Sequence, residues 1–558
     1  MNNRTKLRHS LVMLQLVAAQ IAAFALPIGL EVPQNSSPAS TKSVELFVDP
    51  YAGADTNDGS SATPLKSASA AAALALANKR AGTGTVITLR PGIYREFIDL
   101  NGVGVGGSNA PIVIRAEKPG GVTISGSYRW TDWVPDPADS RRYIRAWPYH
   151  WQACTFPAGW PKISPLGLRR EMIFVNAQAL TPVLSLGDLK AGSFFIDETA
   201  ARVYLRPPEG ISLTTATVEV AIRPSLFRSS SVSNLTLSGL VFEHANSCFN
   251  NQPNAAVTIS GGHDVTLEDL QIDWNNWIGV NLFSINNAVV RRVEISHNGE
   301  SGLNAFRLKN ADISDVDVSD NNWRGGGLGG FRTWEPAGAK LLRIHGAVLR
   351  NIRALRNDGR GLWFDTDNLD VTLQNITVEN NSMGGIDIEA SKGPFLIKDS
   401  FICNNLHEGL QGNQSDSLRL THDVIAGNQK AQIWASISQK PRTDTNWETK
   451  ASFSTLAQHW VIEQSTIASS GPHQMLYEGF LSADPAPGPF LETLTSDRNH
   501  WYKPDSSPGF QMDSGYFSRP AHAVSFSEWR EITGQDKHSD TTLPGPSLDS
   551  LCPAPSTR

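Results

Sequence analysis

One short stretch of alternating apolar and polar residues recurs along the second half of the chain and decides the fold. It reads VTLEDLQI at residues 265–272 and returns as VVRRVEI (289–295), ISDVDV (313–318), VTLQNITV (371–378) and FLIKDSFI (395–402). Such alternation predicts a β-strand with one face buried. A second short strand-like run follows each copy, and the repeat shows no helical segment.

An asparagine follows the recurring strand at a nearly constant spacing. Successive asparagines are 23 or 24 residues apart, with one step of 36. They are Asn275, Asn298, Asn321, Asn357, Asn381, Asn405 and Asn428. An amide at a tight turn can bond to backbone and to the amides of the coils above and below. This period predicts a parallel β-helix rather than a leucine-rich repeat, because the LxxLxL spacing is absent.

Composition sets broad limits on what the protein can be. The chain has 558 residues, of which 40% are hydrophobic, and it contains 15 Trp. A solenoid allows this length, since each coil is buried only by its neighbours. The net charge is −6 and no long basic run occurs, so nucleic acid is not expected as a partner.

The N-terminus has the features of a secretory signal. Basic residues lie within the first eight positions, an apolar stretch follows, and Ala23-Phe24-Ala25 fits a cleavage site. We therefore expect a signal peptide at 1–25, a flexible leader at 26–43, and a secreted or periplasmic protein. The alternative is a membrane anchor, for which the apolar stretch is short; no membrane association is expected of the mature form.

The remaining chain divides by composition and period. Residues 44–126 are expected to form an N-terminal cap and the first coils, with an Ala/Leu-rich helix from Ser67 to Lys79. Residues 127–228 lack a fixed period and predict an inserted β-rich domain. The β-helix with its C-terminal cap should occupy 229–540, and 541–558 should be a disordered tail. The fold class is therefore all-β: a right-handed parallel β-helix with a capping helix and an inserted domain.

Two carboxylates are expected to meet on the outer face of this helix. In the strands GLWFD (361–365) and GIDIE (385–389), alternate apolar residues point to the core, so Asp365 and Glu389 face solvent. They are 24 residues apart, which is one coil, and neighbouring strands lie about 4.7–4.9 Å apart. The two acids should therefore stack one above the other.

Stacked acids fit the chemistry of a retaining glycosidase. Like charges repel, so one carboxyl should keep its proton beside an ionised partner, and the retaining mechanism needs carboxyls about 5–5.5 Å apart. Glycines rather than Lys or Arg occupy the neighbouring positions, so the charges are expected to be left unneutralised. Trp363 and Trp334 are candidate platforms for a sugar ring. Trp334 belongs to a long insertion between Asn321 and Asn357, which favours a binding face there.

The beginning of the chain resembles β-helix proteins of the pectate lyase superfamily. The resemblance rests on the motifs FVDP (47–50), DTNDG (55–59), RPGIY (90–94), NAPIVIR (109–115) and ISGS (124–127). The order of capping helix, inserted domain and β-helix is similar to β-xylosidases of glycoside hydrolase family 120 and their relatives in family 141.

This resemblance implies roles for individual residues. The family pattern Gly-Leu-Trp-φ-Asp carries the nucleophile, which implies that role for Asp365. A strand ending in Glu one coil later carries the acid/base, which implies Glu389. Glu335 matches a glutamate near the substrate and is expected to bind it. The implied partner is an oligo- or polysaccharide, and the oligomeric state is left open.

Other readings stay open. Lys340 and Arg360 are candidate bases of a uronate lyase, an activity often assisted by Ca²⁺, although surface cations are the commoner case. Asp387 is an alternative partner in the acid pair and a candidate for binding substrate. Asp367 could bind sugar or an ion, or be a turn carboxylate. No cofactor or metal is expected apart from that possible calcium, and a non-catalytic carbohydrate-binding β-helix is the third alternative.

The four cysteines are widely spaced and show neither a disulfide framework nor a metal-binding pattern. No chemistry is assigned to them.

Overall fold

The computed structural model describes most of the chain from residue 42 onward. The described ranges are 42–103, 108–156, 162–249, 254–333, 335–437, 440–480, 488–513 and 522–552. The predicted signal peptide lies outside them, as does the leader up to residue 41. No helix within these ranges is long and apolar enough to cross a membrane.

Two large, almost wholly parallel sheets form the solenoid. The first has 21 described strands: Ser43–Val48, Gly84–Leu89, Gly92–Tyr94, Ile112–Ala116, Val122–Ser125, Leu235–Ser238, Leu240–Glu243, His263–Asp273, Asn286–Ser296, Lys309–Asp317, His345–Leu355, Leu369–Gln374, Thr377–Glu379, Phe395–Lys398, Phe401–Cys403, Leu418–Thr421, Val424–Ala426, Val461–Glu463, Thr466–Ala468, Thr495–Asp497 and His500–Tyr502. The second has 13: Ile98–Asn101, Phe227–Ser230, Ala255–Ser260, Ile278–Phe283, Leu303–Phe306, Ala337–Leu342, Arg360–Asp365, Ile386–Glu389, Leu410–Asn413, Ala431–Ser436, Met475–Phe480, Phe510–Asp513 and His522–Val524. One apolar core runs between them. The predicted all-β, parallel β-helix class is confirmed.

The recurring asparagines form a buried ladder at the turn between the two sheets. Each amide Nδ2 donates to the Oδ1 of the next asparagine at 2.9–3.2 Å, from Asn275 as far as Asn428. Asn428 ends the ladder by donating to Gln432 Oε1 at 2.9 Å. The long step from Asn321 to Asn357 keeps this contact, at 3.2 Å, so the insertion between them does not interrupt the ladder.

Helices cover both ends of the apolar core. The N-terminal helix Ala68–Arg80 is capped by Ser67 and buries Ala71, Ala75 and Leu76 against the first coils. Near the C-terminus, the short helices Gly488–Thr493 and Phe526–Thr533 contribute Phe490 and Trp529 to the same core. Capping keeps the apolar edge strands away from water.

Between Ser127 and Ala221 the chain leaves the solenoid and forms two smaller sheets. One contains Ser127–Arg129, Ile173–Val175, Gln178–Ala179 and Val218–Ala221, and the other contains Val134–Asp136, Asp139–Ala146, Thr181–Val183, Ser193–Asp197 and Arg202–Arg206. This part has its own apolar core around Trp130 and Trp147. Its end differs from the expected residue 228, because strand Phe227–Ser230 already pairs within the solenoid.

All four cysteines form disulfides. Cys154 in the inserted part pairs with Cys248 of the solenoid, and Cys403 pairs with Cys552. The tail expected to be disordered from residue 541 is ordered as far as Cys552, with a 3₁₀ turn at Leu548–Ser550. The disulfide explains this difference, because it ties the tail to a buried coil.

Removing the Cys403–Cys552 bond should destabilise the protein. With both residues replaced by Ser, we expect a free energy of unfolding lower by about 2–4 kcal/mol, because the reduced chain gains freedom when unfolded. Thermal melting of the variant and of the wild type, both without a reducing agent, measures this. A double variant that melts like the wild type would contradict the expectation, and the variant with Cys154 and Cys248 replaced by Ser, which opens the other bond, is the matched comparison.

Candidate functional site

Asp365 and Glu389 lie next to each other on the outer face of the second sheet. Phe364 pairs in register with Ile388, so the residues that follow them are neighbours on adjacent parallel strands. Both apolar partners are fully buried, whereas the two carboxylates are partly exposed. The separation of their backbones is therefore one strand spacing, about 4.8 Å.

Two outward-facing rows cross this part of the sheet, and we name them for reference below. The first row consists of Asn281, Asn304, Lys340, Trp363, Asp387, Gln411 and Trp434. The second row, two residues further along each strand, consists of Phe283, Phe306, Leu342, Asp365, Glu389, Asn413 and Ser436.

The outward series ends at the two acids because the backbone turns there. Thr366, Asp367 and Ala390 have positive φ angles of 38°, 57° and 42°. Asp367 is consequently buried, and its Oδ2 accepts the backbone N–H of Trp447 at 2.8 Å. It is a turn carboxylate and does not fit the predicted alternative of a sugar-binding residue.

A cation lies against each acid, contrary to the expectation of an unneutralised pair. Lys340 Nζ lies 3.4 Å from Asp365 Oδ2 and 3.1 Å from Glu335 Oε2. Arg442 donates to Glu389 Oε1 at 2.6 Å and to Thr366 Oγ1 at 3.2 Å. The glycines next to the two acids in sequence gave no indication of these cations, because Lys340 reaches Asp365 from the preceding coil and Arg442 is distant in sequence.

Trp363 lies on the outer face, yet it is only 6% exposed. Lys340 Nζ lies 3.7 Å and the Arg360 guanidinium 4.3 Å from the centre of its ring. Cations attract the π face and here cover it. The prediction that Trp363 is open to solvent is therefore wrong, and so is the surface-cation reading of Lys340. Trp334, the other predicted platform, lies outside the described residues.

Asp387 is the buried acid of the site. It lies in the first row, two residues before Glu389, and its Oδ2 accepts from Arg360 Nε at 2.8 Å. Burial raises the pKa of Asp387 to about 7, Arg360 opposes the shift, and the charges of Glu389 and Asp365 add to it. Its Oδ1 has no hydrogen-bond partner among the described residues. Asp387 can therefore hold a proton at neutral pH.

A second proton-holding acid, which the sequence did not single out, lies one coil before Lys340. Glu300 is buried, and neither of its carboxyl oxygens has a partner in the described part of the chain. Burial, followed by the charge of Glu335, raises the pKa of Glu300 to about 8. Glu335, a predicted substrate contact, is itself partly exposed and bound to Lys340.

An antiparallel hairpin, which the repeat pattern does not predict, borders the second row. Its strands are Arg442–Thr445 and Ser452–Thr455. In addition to Arg442, two acids of the hairpin form ion pairs with the solenoid. Asp444 lies 3.4 Å from Arg343, and Glu448 lies 2.7 Å from Lys309. Short runs of alternating residue character on both sides of the turn-forming Asn446 could have indicated this hairpin. The hairpin makes one wall beside the acids.

No group of three or more His, Cys, Asp or Glu side chains within the described ranges is arranged to hold a metal ion. The carboxylates of the site instead contact Lys and Arg.

Comparison with known proteins agrees with the architecture. Residues 255–447 match a family model described as a right handed beta helix region. A structure of XylC in complex with xylose has a TM-score of 0.62 at 15% identity, over 77% of this chain and 76% of that chain. A glycoside hydrolase structure has a TM-score of 0.48 at 14% identity, over 68% and 96%. The A-module of mannuronan C-5 epimerase AlgE4 from Azotobacter vinelandii has 0.47 at 12%, over 89% and 100%.

No curated protein matches the sequence. At 15% identity, the likeness to XylC shows the fold alone. Together with the sheet register and the family model, it establishes one conclusion: the chain is a right-handed parallel β-helix protein.

Proposed function

We propose that this protein is a retaining glycoside hydrolase acting on oligo- or polysaccharides, with Asp365 as nucleophile and Glu389 as acid/base. The observation that carries the proposal is the register that makes the two acids neighbours on one outer face. One strand spacing of about 4.8 Å is close to the carboxyl separation of about 5–5.5 Å that retaining glycosidases use.

In the proposed reaction, Asp365 attacks the anomeric carbon while Glu389 gives its proton to the leaving oxygen. Water then attacks the same carbon, Glu389 takes the proton from that water, and the Asp365 oxygen is released. Lys340 lies beside Asp365 and can hold its carboxylate in position for the attack. Arg442 occupies Glu389 Oε1, so the leaving oxygen of the substrate has to take its place there.

The surroundings support a neutral sugar over a uronate. Each cation of the site already faces an acid: Lys340 faces Asp365, Arg360 faces Asp387 and Arg442 faces Glu389. A uronate carboxylate would have to compete with these acids. The candidate lyase base Lys340 is moreover buried between two carboxylates.

We also propose that the protein acts outside the cytoplasm, as a secreted or periplasmic enzyme. Two disulfides support this, since such bonds persist mainly in oxidising compartments.

Activity on a panel of aryl glycosides of neutral sugars, followed by the anomeric configuration of the first product, tests the proposal. Retention of configuration is expected. An unsaturated product absorbing in the ultraviolet would identify a lyase instead. Binding of a saccharide without turnover of any glycoside would identify a carbohydrate-binding protein.

The raised pKa of Asp387 predicts a pH effect on activity. As pH rises through about 7, Asp387 ionises and places a further negative charge beside Asp365 and Glu389. We expect this added negative charge to favour the oxocarbenium-like transition state, so that kcat/KM holds or rises above that pH. Asp387→Asn, whose amide stays neutral, should lack this gain. Profiles of kcat/KM between pH 5 and 9 check this, and an identical alkaline limb in both proteins would contradict it.

A further inference from the structure

The two outer rows continue well beyond the acids on both sides. From Phe283 to Ser436 the second row crosses seven neighbouring strands, or six strand spacings, which is about 29 Å. Asp365 and Glu389 occupy the fourth and fifth strands of this span. The acids therefore lie near the middle of a long face instead of at its end.

Toward the N-terminus, the face carries an aromatic pair beside amides. The Phe283 side chain is 40% exposed, although most phenylalanine side chains in proteins are buried. Its ring lies 4.8 Å from that of Phe306, between centres, at an angle of 31°. In the first row, Asn281 and Asn304 flank these rings. Phe306 is two strand spacings from Asp365, about 10 Å.

Toward the C-terminus, the same combination returns. The half-exposed amides of Gln411 and Asn413 follow Asp387 and Glu389 by one coil. Trp434 follows Gln411 by one further coil and is partly exposed, and its ring stacks on Phe480 at 5.4 Å and 27°. Trp434 is thus about 10 Å from Asp387 on the other side.

We propose that this face binds an extended neutral polysaccharide along the solenoid axis, with sugars on both sides of the acids. The proposal rests on the proposed function and extends it. A pocket would bind only the end of a polysaccharide, whereas a cleft would also bind its internal sugar residues. Amides can donate to and accept from hydroxyls, and aromatic rings can cover the apolar faces of sugar rings. Charged residues and amides lie between the two aromatic pairs, so the face is not a continuous apolar patch of the kind that binds proteins or lipids.

Retardation in native gels containing a soluble polysaccharide tests the proposal without requiring turnover. The protein would carry Asp365→Asn, so that the polymer stays intact, and the gels would contain xylan, glucomannan, galactan or arabinan. We expect retardation by at least one polymer. Phe283→Ala and Trp434→Ala should each weaken that binding about tenfold, and Trp434→Tyr should weaken it less, since it keeps a ring.

Tyr51→Ala is the matched control, because Tyr51 is an aromatic residue 75% exposed outside the two rows. No retardation in any gel, or retardation that Phe283→Ala and Trp434→Ala leave unchanged, overturns the proposal. Cleavage of aryl glycosides without retardation would leave the hydrolase assignment intact and defeat only the extended cleft. Retardation without cleavage of any glycoside would support the cleft and defeat the hydrolase.

Discussion

Asp365→Asn should lower kcat on the best aryl glycoside by about 10⁴-fold or more, the loss typical of removing a catalytic nucleophile. The amide is nearly isosteric with the carboxylate but cannot form the covalent glycosyl intermediate. Lys340 keeps its contact with Glu335 in this variant, and KM should change far less than kcat. Steady-state kinetics of the purified variant, with thermal melting to verify the fold, measure the effect.

Asp370→Asn is the matched control for this variant. Asp370 is an exposed acid on the first sheet, and its left-handed backbone, with φ of 55°, also suits asparagine. The activity of the Asp370→Asn variant should equal that of the wild type.

Glu389→Gln should slow the hydrolysis of aryl glycosides with good leaving groups least, since such leaving groups need little protonation. If Asp365→Asn turned over at the wild-type rate, Asp365 could not be the nucleophile.

Asn381→Ala should lower the free energy of unfolding by about 3–5 kcal/mol, since it interrupts the buried ladder in its middle. Asn381 Oδ1 accepts from the backbone N–H and the Nδ2 of Asn357, each at 2.9 Å, and its Nδ2 donates to Ala354 O and Asn405 Oδ1 at the same distance. Alanine would take the partner from the two buried Asn357 donors, each at a cost of about 1–3 kcal/mol, whereas Asn405 Oδ1 would still accept from the backbone N–H of residue 381. Chemical denaturation measures the loss.

Asn375→Gly serves as the comparison for the ladder variant. Asn375 is exposed and has a left-handed φ of 55°, which glycine adopts without strain. We expect it to change stability by less than about 1 kcal/mol. Equal losses in the two variants would show that the ladder adds no more than a surface amide does.

Much of the site was predictable because strand geometry is periodic. A 24-residue step and alternation along the strand place Asp365 beside Glu389, whatever the rest of the molecule does. The periodic argument failed where the backbone leaves the period. Asp367 was expected to continue the outward series, but the positive φ at Thr366 and at Asp367 itself turns its side chain into the protein.

The solenoid, its asparagine ladder and the register of the two acids can be predicted from the amino-acid order, because all three follow from local repeats of 23 or 24 residues. The surroundings of the acids depend instead on long-range contacts in the folded molecule. Lys340 comes from the coil before Asp365, and Arg442 comes from a hairpin 53 residues beyond Glu389. Burial of Asp387, which sets its proton affinity, likewise depends on packing between coils. Contacts between segments distant in sequence leave no periodic signal, so only folding brings them together.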